Sequence, residues 1–298
     1  MSQGDILRLN RMYKCGEKTV VKPNEKEART MIQIIPTTIK TTPKPTKKTP
    51  TSSVTKTTTE QSANNQNQKI KEKAPKEEDN SFEDLVKEGR TVGDMILNEN
   101  QIKFLYTKHE EGSNRLVNDI FNDWPEGIVY YQYHKSMTPE FEKKVTAAMK
   151  HIEEVSCIKF KVQSENTTQK NYVQIVAKSF CSSLVGMRRN GIQPLFLDAE
   201  RSTEGNIIHE LLHTLGFIHM HTANERDKHI KIQWDNVLET ARTNFRKVSA
   251  SVSMFDTNYD TGSIMHYPPL AFAKNKSMPT IIHLDPDNAV TMGQRKSK

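Results

Sequence analysis

Several features that would assign a chain to a broad class are missing from these 298 residues. No run of about 18 consecutive apolar residues occurs, which excludes a transmembrane segment recognisable by hydropathy. The first 15 residues, MSQGDILRLNRMYKC, lack the apolar core of a secretory signal. The three cysteines, Cys15, Cys157 and Cys181, are too few for a disulfide scaffold, and their odd number leaves at least one unpaired within the chain. Taken alone, these absences favour a cytoplasmic protein.

Positive charge is unevenly distributed along the chain. The formal net charge of +7 resides entirely in residues 1–80, and the rest of the chain is neutral overall. Nucleic-acid binders that use a basic tail interleave aromatic residues with the lysines, and this chain does not, so we predict no nucleic-acid partner. Residues 36–60 contain 11 Thr, 5 Lys and 4 Pro. Such a composition cannot bury enough apolar surface to offset the ordering entropy, so we predict a disordered linker over residues 16–80.

Periodic patterns predict where ordered structure lies. Residues 1–15 have a capping box (Ser2 and Asp5) before an apolar stripe of Ile6, Leu9 and Tyr13, which indicates a short helix that needs a partner surface. A second helix is predicted after Thr138 and Pro139. Strands are predicted over 127–134, 158–163, 172–178 and 193–199, and a helix over about 234–247. A mixed sheet with helices should therefore precede residue 209.

The stretch HELLHTLGFIH, residues 209–219, carries the chemistry of the chain. His209 and His213 are four residues apart, so a helix brings both imidazoles to one side, about 6 Å apart along the axis. This spacing is typical of a pair of metal ligands. Glu210 is rotated by about 100° from His209, which suits a general base acting on a metal-bound water better than a third ligand.

His219 cannot reach the same ion on a continuous helix, because it would lie about 15 Å further along the axis. The helix must therefore end and the chain fold back, and Gly216 is the residue that can adopt the required left-handed conformation. Three neutral imidazoles, a carboxylate base and an open position for water describe catalytic zinc and not structural zinc. We predict one Zn²⁺ per catalytic domain.

Together with SIMHY at residues 263–267, this motif resembles the metzincin clan of zinc endopeptidases, in which the second segment is called the Met-turn. HELLHTLGFIHMHTANERD, the Tyr after MH, and WPEGIVYY are similar to the astacin family in particular. The resemblance implies an α+β fold: a mixed, mostly parallel sheet with the active-site helix in an N-terminal subdomain, followed by a loop-rich C-terminal subdomain. It also implies a secreted or extracellular protein, although this chain has no signal peptide.

The resemblance assigns roles to individual residues. It implies that His209, His213 and His219 bind zinc, that Glu210 is the base, and that Met265 supports the metal site. Tyr267 is implied as a phenol near zinc, a further ligand in some states, that donates a hydrogen bond to the developing oxyanion.

Astacins are made as precursors in which an aspartate after a glycine binds the zinc in place of water. TVGDMIL offers Gly93 and Asp94, although Thr91 stands where the family has an aromatic residue. Activation then requires another protease to cut before Trp124, and Arg115–Leu116 is the candidate bond. The predicted domains are a terminal helix segment at 1–15, the linker, a propeptide at 81–115 and a catalytic domain at 116–298.

The two ends of the chain depart from the family. Astacin domains close with a helix that ends in Cys, whereas this chain ends at TMGQRKSK and has SQGDILRLNRMYKC at its front. Either residues 1–15 are the tail of a preceding astacin unit and this unit lacks its own closing helix, or they fold back and complete the domain through a Cys15–Cys157 bridge. The resemblance also leaves Cys181 without its partner, because Arg201 stands at that position. Met220 and Ala223 replace a family Glu and Arg.

These observations predict a zinc-dependent endopeptidase that is made as a zymogen and acts on protein or peptide substrates. The alternative is a catalytically inactive zinc-binding module with a structural or binding role, which the missing closing helix and the lost disulfide would favour. Retention of both Glu210 and Tyr267 argues against it.

Overall fold

The structure is a computed structural model. It describes residues 1–16, 91–107, 115–116, 121–164, 169–189, 191–249, 252–253, 257–285 and 292–296. All of them belong to a unit made of Met1–Thr19 and Asn80–Lys298. Nearly all of the predicted linker and the first part of the predicted propeptide lie outside the described residues. Among the helices that are described, none has the length and apolar character needed to cross a membrane.

A mixed sheet organises the first part of the fold. The described strands are β1 (Thr91–Val92), β2 (Met95–Ile96), β3 (Arg115–Leu116), β4 (Ile128–Tyr133), β5 (Lys159–Val162), β6 (Tyr172–Lys178), β7 (Ser182–Leu184), β8 (Ile192–Asp198), β9 (Ile230–Ile232), β10 (Val252–Ser253) and β11 (Ile281–His283). Seven of them form one sheet in the order β1-β2-β7-β8-β6-β4-β5. Within this sheet, the β1–β2 and β7–β8 pairs are antiparallel and the other four pairs are parallel. The predicted α+β class with a mostly parallel sheet is confirmed.

The apolar patterns located four of the seven strands of this sheet. The four predicted strands coincide with β4, β5, β6 and β8 to within a residue at each end. The two-residue strands β1 and β2 were not predicted, nor was β7, whose residues Ser182, Ser183 and Leu184 show no apolar alternation. It is a strand because it pairs with β8 on one side and with β2 on the other. Tertiary pairing, and not local propensity, therefore defines this edge of the sheet.

The described part of the chain contains four α-helices: α1 (Gln3–Met12), α2 (Glu99–Tyr106), α3 (Pro139–Val155) and α4 (Glu204–Thr214). Helix α3 begins as predicted, with Thr138 Oγ1 accepting a hydrogen bond from the backbone N–H of Phe141. Its apolar stripe is buried and packs against α4, which in turn contacts β7 and β8. Helix α4, which carries the first two histidines, is thus held between another helix and the sheet.

The chain after α4 is rich in loops and short 3₁₀ segments, as expected for the C-terminal subdomain. The predicted helix over 234–247 is wrong: two 3₁₀ segments, Trp234–Asn236 and Glu239–Phe245, take its place. Between them Val237 and Leu238 have extended backbones. Val237 forms a β-bridge with Ala273, and the N–H of Leu238 donates to the carbonyl of Phe272. These non-local hydrogen bonds outweigh the weak helical preference of the segment.

Helix α1 has the capping box predicted from the sequence. Ser2 Oγ accepts from the N–H of Asp5 at 3.0 Å, and Asp5 Oδ2 accepts from the N–H of Ser2 at 3.0 Å. Leu9 and Met12 are buried in the main hydrophobic core, and burial of each such side chain contributes about 1.5 to 3 kcal/mol. The helix has therefore found the partner surface that a short amphipathic helix needs.

The end of α1 is joined covalently to the domain. Cys15 and Cys157 form a disulfide across 142 residues of sequence. Nearby, Tyr13 Oη donates to the carbonyl of Leu215 at 3.0 Å and Asn10 Nδ2 donates to the carbonyl of Val155 at 2.8 Å. The structure thus has the second of the two arrangements, in which residues 1–15 complete the domain within one chain.

Replacing both cysteines of this bridge, Cys15→Ala with Cys157→Ala, should lower the free energy of unfolding by about 2 to 5 kcal/mol, because the cross-link limits the unfolded chain over a long loop. Urea unfolding followed by tryptophan fluorescence measures the change. Cys181→Ala, which removes the free thiol, is the matched control. Equal unfolding midpoints for the double variant and the unmodified protein would contradict a stabilising bridge.

Candidate metal centre

The buried helix α4 presents the first two histidines. Thr203 caps the helix together with Asn206, and every residue from Ile207 to Thr214 is buried. His209 and His213 are one helical turn apart, and their Nε2 atoms lie 3.1 Å from each other. The four-residue spacing therefore brings the two ring nitrogens to one point, as predicted.

The turn after α4 brings the third histidine to the same point. The helix ends at Thr214, and Gly216 follows with a φ of +105°, its N–H donating to the carbonyl of His213 at 2.9 Å. This left-handed residue reverses the chain, and His219 returns in an extended conformation. Its ring centroid lies 4.8 Å from that of His213. Gly216 has the predicted role in the fold.

Backbone carbonyls fix the tautomers of the two helical histidines. His209 Nδ1 lies 2.8 Å from the carbonyl oxygen of Ile264, and His213 Nδ1 lies 2.8 Å from that of Phe217. Because a carbonyl can only accept, each Nδ1 must carry the hydrogen. Burial lowers the pKa of His209 to about 3 and also lowers that of His219, which keeps these rings neutral at pH 7. With the hydrogen on Nδ1, each neutral ring of the helical pair turns the lone pair of its Nε2 toward the centre.

Asp94 supplies the fourth ligand atom. Its Oδ1 lies 2.8 Å from His219 Nε2 and 3.4 Å from His213 Nε2, and its Oδ2 lies 3.2 Å from His209 Nε2. The four ligand atoms lie within 4.8 Å of one another. The family resemblance implied that Asp94, 115 residues before His209, lies at the metal, and the structure has its carboxylate beside the three histidines.

A tight hairpin carries Asp94 into this position. Gly93, between β1 and β2, has a φ of +66°, and a side chain there would overlap the hydroxyl of Tyr267. Its N–H donates to Asn244 Oδ1 at 2.9 Å. The carbonyl of Asp94 accepts from the N–H of Ser183 and from Ser182 Oγ, at 3.0 and 2.7 Å. The hairpin is therefore locked to strand β7 on one side and to the C-terminal subdomain on the other.

These residues fit a zinc ion. Three imidazole lone pairs and a carboxylate oxygen converge on one buried point. The Nδ1 hydrogens of His209 and His213 are donated to backbone carbonyls and do not point toward this centre. Such a set of electron pairs needs a cation between them. Zinc bonds to nitrogen of about 2.0 to 2.1 Å place tetrahedral ligands roughly 3.3 Å apart, which agrees with the separations given above.

Glu210 lies beside the three histidines but outside the ligand set. Its side chain is buried, and its Oε2 has no hydrogen-bond partner within the described part of the chain. Burial, reinforced by the charge of Asp94, raises the pKa of Glu210 well above its usual value. A buried carboxylate oxygen without a partner is costly, and it is the arrangement expected of a group that takes a proton during a reaction.

The Met-turn lies against the same centre. Met265 is fully buried in the main core, and its carbonyl accepts from the N–H of Met220 at 3.0 Å. The ring of Tyr267 lies 4.6 Å from the ring of His219, and stacks on His221 with centroids 3.8 Å apart. The structure therefore brings together all eight site residues that the sequence singled out: Asp94, His209, Glu210, His213, Gly216, His219, Met265 and Tyr267.

Two residues that contact the site were missed by sequence reasoning. His221 is buried, stacks on Tyr267 and lies with its Nε2 2.9 Å from the carbonyl of Asn244. Asn244 in turn holds the hairpin through Gly93. His221 carried a signal, since it is a further histidine two residues after a ligand. Asn244 carried none, because only tertiary folding brings residue 244 to residue 93.

Comparison with known proteins agrees with this geometry. Residues 116–298 match the family described as Astacin (Peptidase family M12A). The chain belongs to the astacin family.

Among curated astacin relatives, the chain is 32% identical over 206 residues to zinc metalloproteinase nas-32 and 33% identical over 193 residues to nas-4, both from Caenorhabditis elegans. It is 35% identical over 177 residues to the dorsal-ventral patterning protein tolloid of Drosophila melanogaster. These matches cover 68%, 63% and 58% of this chain and only 31%, 60% and 16% of the respective relatives. The chain therefore corresponds to part of each relative.

A solved structure shows the same fold. High choriolytic enzyme 1, a hatching enzyme zinc-protease from Oryzias latipes, is similar with a TM-score of 0.53 and 28% sequence identity. The similarity covers 59% of this chain and 86% of that chain. It supports the metzincin interpretation of the sheet, the active-site helix and the loop-rich second part.

Departures from the astacin pattern have visible consequences. Cys181 is a free thiol, as expected: its Sγ lies 3.2 Å from Ser202 Oγ, while Arg201 pairs with Asp198 at 2.9 Å. Met220 is buried with its Sδ 3.9 Å from Arg8 Nη2. The methionine that replaces the family's glutamate therefore packs against Arg8 of helix α1.

The fit to zinc predicts that the purified chain binds one zinc ion. His213→Ala should lower its zinc affinity by at least about 100-fold, because replacing a residue that only holds a ligand in place already costs roughly 10- to 100-fold. Metal analysis and titration against a zinc chelator measure this. His229→Ala is the control, since His229 stacks on Tyr259 outside the ligand set. Equal affinities for the two variants would refute the assigned ligands.

Proposed function

We propose that this chain is a zinc-dependent endopeptidase made as a latent precursor, with protein or peptide substrates. The observation that carries the proposal is the convergence of His209, His213 and His219 on one point, with the buried side chain of Glu210 beside it, whose Oε2 has no hydrogen-bond partner within the described residues. A module that only bound zinc for stability would have no use for a buried carboxyl group beside its ligands. Membership of a peptidase family supports the same activity.

Zinc supplies the electrophilic charge: when bound, it acidifies a water molecule and polarises a substrate carbonyl. The residues of the chain do the rest. Glu210 accepts the proton of the attacking water and delivers it to the leaving amine. The raised pKa of Glu210 suits this proton transfer, because a carboxylate with the usual low pKa is too weak a base to take the proton near neutral pH.

Tyr267 stabilises the negative charge that develops on the substrate oxygen. Its ring is already beside His219, and its hydroxyl faces Gly93 of the hairpin. Once the hairpin leaves, this O–H is free to donate a hydrogen bond to the oxyanion, a contribution of about 2.7 to 4 kcal/mol for comparable donors. Burial raises the pKa of Tyr267 well above its usual value, so the phenol keeps its proton.

Latency follows from the position of Asp94. Its carboxylate occupies the place where a water molecule would have to bind among the histidines. The same hairpin adds a strand to β7, with Met95 opposite Ser183 and Ile96 opposite Leu184. Because an extended peptide can add to an exposed sheet edge, the hairpin also covers the edge that a substrate would use.

Activation requires another protease to cut the segment between Tyr106 and Trp124. The candidate bond, Arg115–Leu116, lies in strand β3, which pairs in parallel with Val252–Ser253 of β10. An attacking protease must therefore draw these two residues out of a short ladder. We propose a secreted protein, and the Cys15–Cys157 bridge supports this, because disulfides persist in oxidising compartments.

Glu210→Ala should abolish casein or gelatin turnover by the activated protein, with a loss of about 100- to 10,000-fold, because the general base is gone. Zinc content should not change, since Glu210 is not a ligand. Glu200→Ala, which alters an exposed carboxylate nearby, is the matched control and should keep full turnover. Glu210-independent cleavage, or none by the unmodified protein, would favour an inactive zinc-binding module.

A single cut near residue 115 should leave two fragments joined by Cys15–Cys157. Placing a site for a sequence-specific protease at residues 112–119 makes the cut selective. After cleavage we expect one band on a non-reducing gel and two on a reducing gel, because the bridge spans the cut. The Cys15→Ala, Cys157→Ala variant should separate without reductant.

Separation of the unmodified fragments without reductant would contradict the bridge. If the bridge holds, the inhibitory hairpin stays tethered after one cut and keeps a high effective concentration. Full activation then needs a second cut between Cys15 and Thr91, which frees the hairpin and leaves α1 in place.

A further inference from the structure

A buried carboxylate on the N-terminal helix reaches the Met-turn. Asp5 of α1 is completely buried, and two of the groups it binds lie more than 200 residues away in sequence. Ser263 Oγ donates to Asp5 Oδ1 at 2.5 Å, and the N–H of Ile264 donates to Asp5 Oδ2 at 2.9 Å. Residue 5 lies outside the stretch that matches the astacin family, residues 116–298.

The same peptide segment carries the hydrogen bond that orients a zinc ligand. The carbonyl of Ile264 accepts from His209 Nδ1 at 2.8 Å, while its N–H is held by Asp5. Ser263 Oγ, held by Asp5, accepts from the N–H of Met265 at 3.0 Å. Asp5 therefore fixes the turn that fixes the ring of His209.

The charge of Asp5 is balanced locally. Arg8, one turn along α1 and also buried, places Nη1 3.5 Å from Asp5 Oδ1, and its Nε donates to Thr257 Oγ1 at 3.0 Å. With the N–H of Ser2, the carboxylate thus has four donors around it. An ionised carboxylate accepts only, so it forces the hydroxyl hydrogen of Ser263 toward itself and leaves the lone pair of that oxygen for Met265.

We propose that Asp5 is a positioning residue for the zinc ligand His209 and that it acts through Ser263 and Ile264. Helix α1 then helps to orient a ligand of the metal site. The proposal rests on the zinc site of the proposed function. A helix that merely covered the core would add stability without changing the site. Asp5 does both, because the bonds it makes end on the peptide that holds the ligand.

The experiment compares two positions on the same helix in the full chain. Asp5→Ala removes both acceptors, and Asp5→Asn keeps the shape but leaves one fewer acceptor. Asn10→Ala is the matched control, because Asn10 anchors α1 to the carbonyl of Val155 away from the Met-turn. Zinc affinity by chelator competition, the visible absorption spectrum of the cobalt-substituted protein and the urea midpoint are measured for each, at a temperature where all variants are folded.

Asp5→Ala should lower zinc affinity by about 10-fold or more and change the cobalt spectrum, since outer-shell partners of metal ligands typically have effects of this size. Asp5→Asn should fall between Asp5→Ala and the unmodified protein. Asn10→Ala should lower the urea midpoint yet keep the zinc affinity and the spectrum. If Asp5→Ala does not fold, the comparison of Asp5→Asn with Asn10→Ala decides.

The proposal is overturned if the Asp5 variants lose stability but keep the zinc affinity and cobalt spectrum of the unmodified protein, or if Asn10→Ala changes both to the same extent. Failure of the proposed function gives a different result, because the unmodified protein would then bind no zinc or cleave no substrate. Binding and cleavage by the unmodified protein, with unaltered Asp5 variants, would refute only the role of Asp5.

Discussion

Three imidazole nitrogens that share one buried point with a carboxylate are the constraint on which the rest of this protein depends. The electron pairs of these groups repel one another unless a cation lies between them, and burial prevents water from screening the repulsion. The nitrogens meet because α4 gives His209 and His213 a common face and Gly216 returns His219 to it. The carbonyls of Ile264 and Phe217 then fix the rings of the helical pair.

The outer supports of this centre come from distant parts of the chain. The hairpin at Gly93 and Asp94 enters from the predicted propeptide, and α1 enters from the N-terminal segment. Both contact the Met-turn region, Gly93 at Tyr267 and Asp5 at Ser263 and Ile264. Under the two proposals made above, the hairpin blocks the site and must leave for turnover, whereas α1 positions the site and must stay. The Cys15–Cys157 bridge keeps α1 covalently attached to the domain, even if the chain is cut between these two cysteines.

The arrangement also gives this chain an order of parts unlike that expected from its family. Helix α1 closes the domain from the front of the sequence, with Cys15 bonded to Cys157 as the closing helix of an astacin domain would be. The linker that the sequence predicts between α1 and the hairpin is long enough in residues to permit such a return, since loop closure costs little extra for added length. A segment at the front of the sequence thus packs beside residues from its second half. Through the hydrogen bond of Asp5 with Ile264, this segment contacts the surroundings of the metal centre.

Much of this could be predicted from local sequence, because the relevant physics is local. The i, i+4 spacing of His209 and His213, the glycine needed at position 216, the capping box of α1 and the apolar strands β4, β5, β6 and β8 each follow from the geometry of a few neighbouring residues. The resemblance to a family added Asp94, Met265 and Tyr267. Local patterns failed at β7, which is a strand only through its partners, and over 234–247, where the bridge from Val237 to Ala273 replaces a helix. Only the tertiary structure decided that α1 closes this domain, that Asp5 holds the Met-turn and that Asn244 holds the hairpin. The physical reason is that no spacing within a sequence specifies which buried donors a distant acceptor will meet.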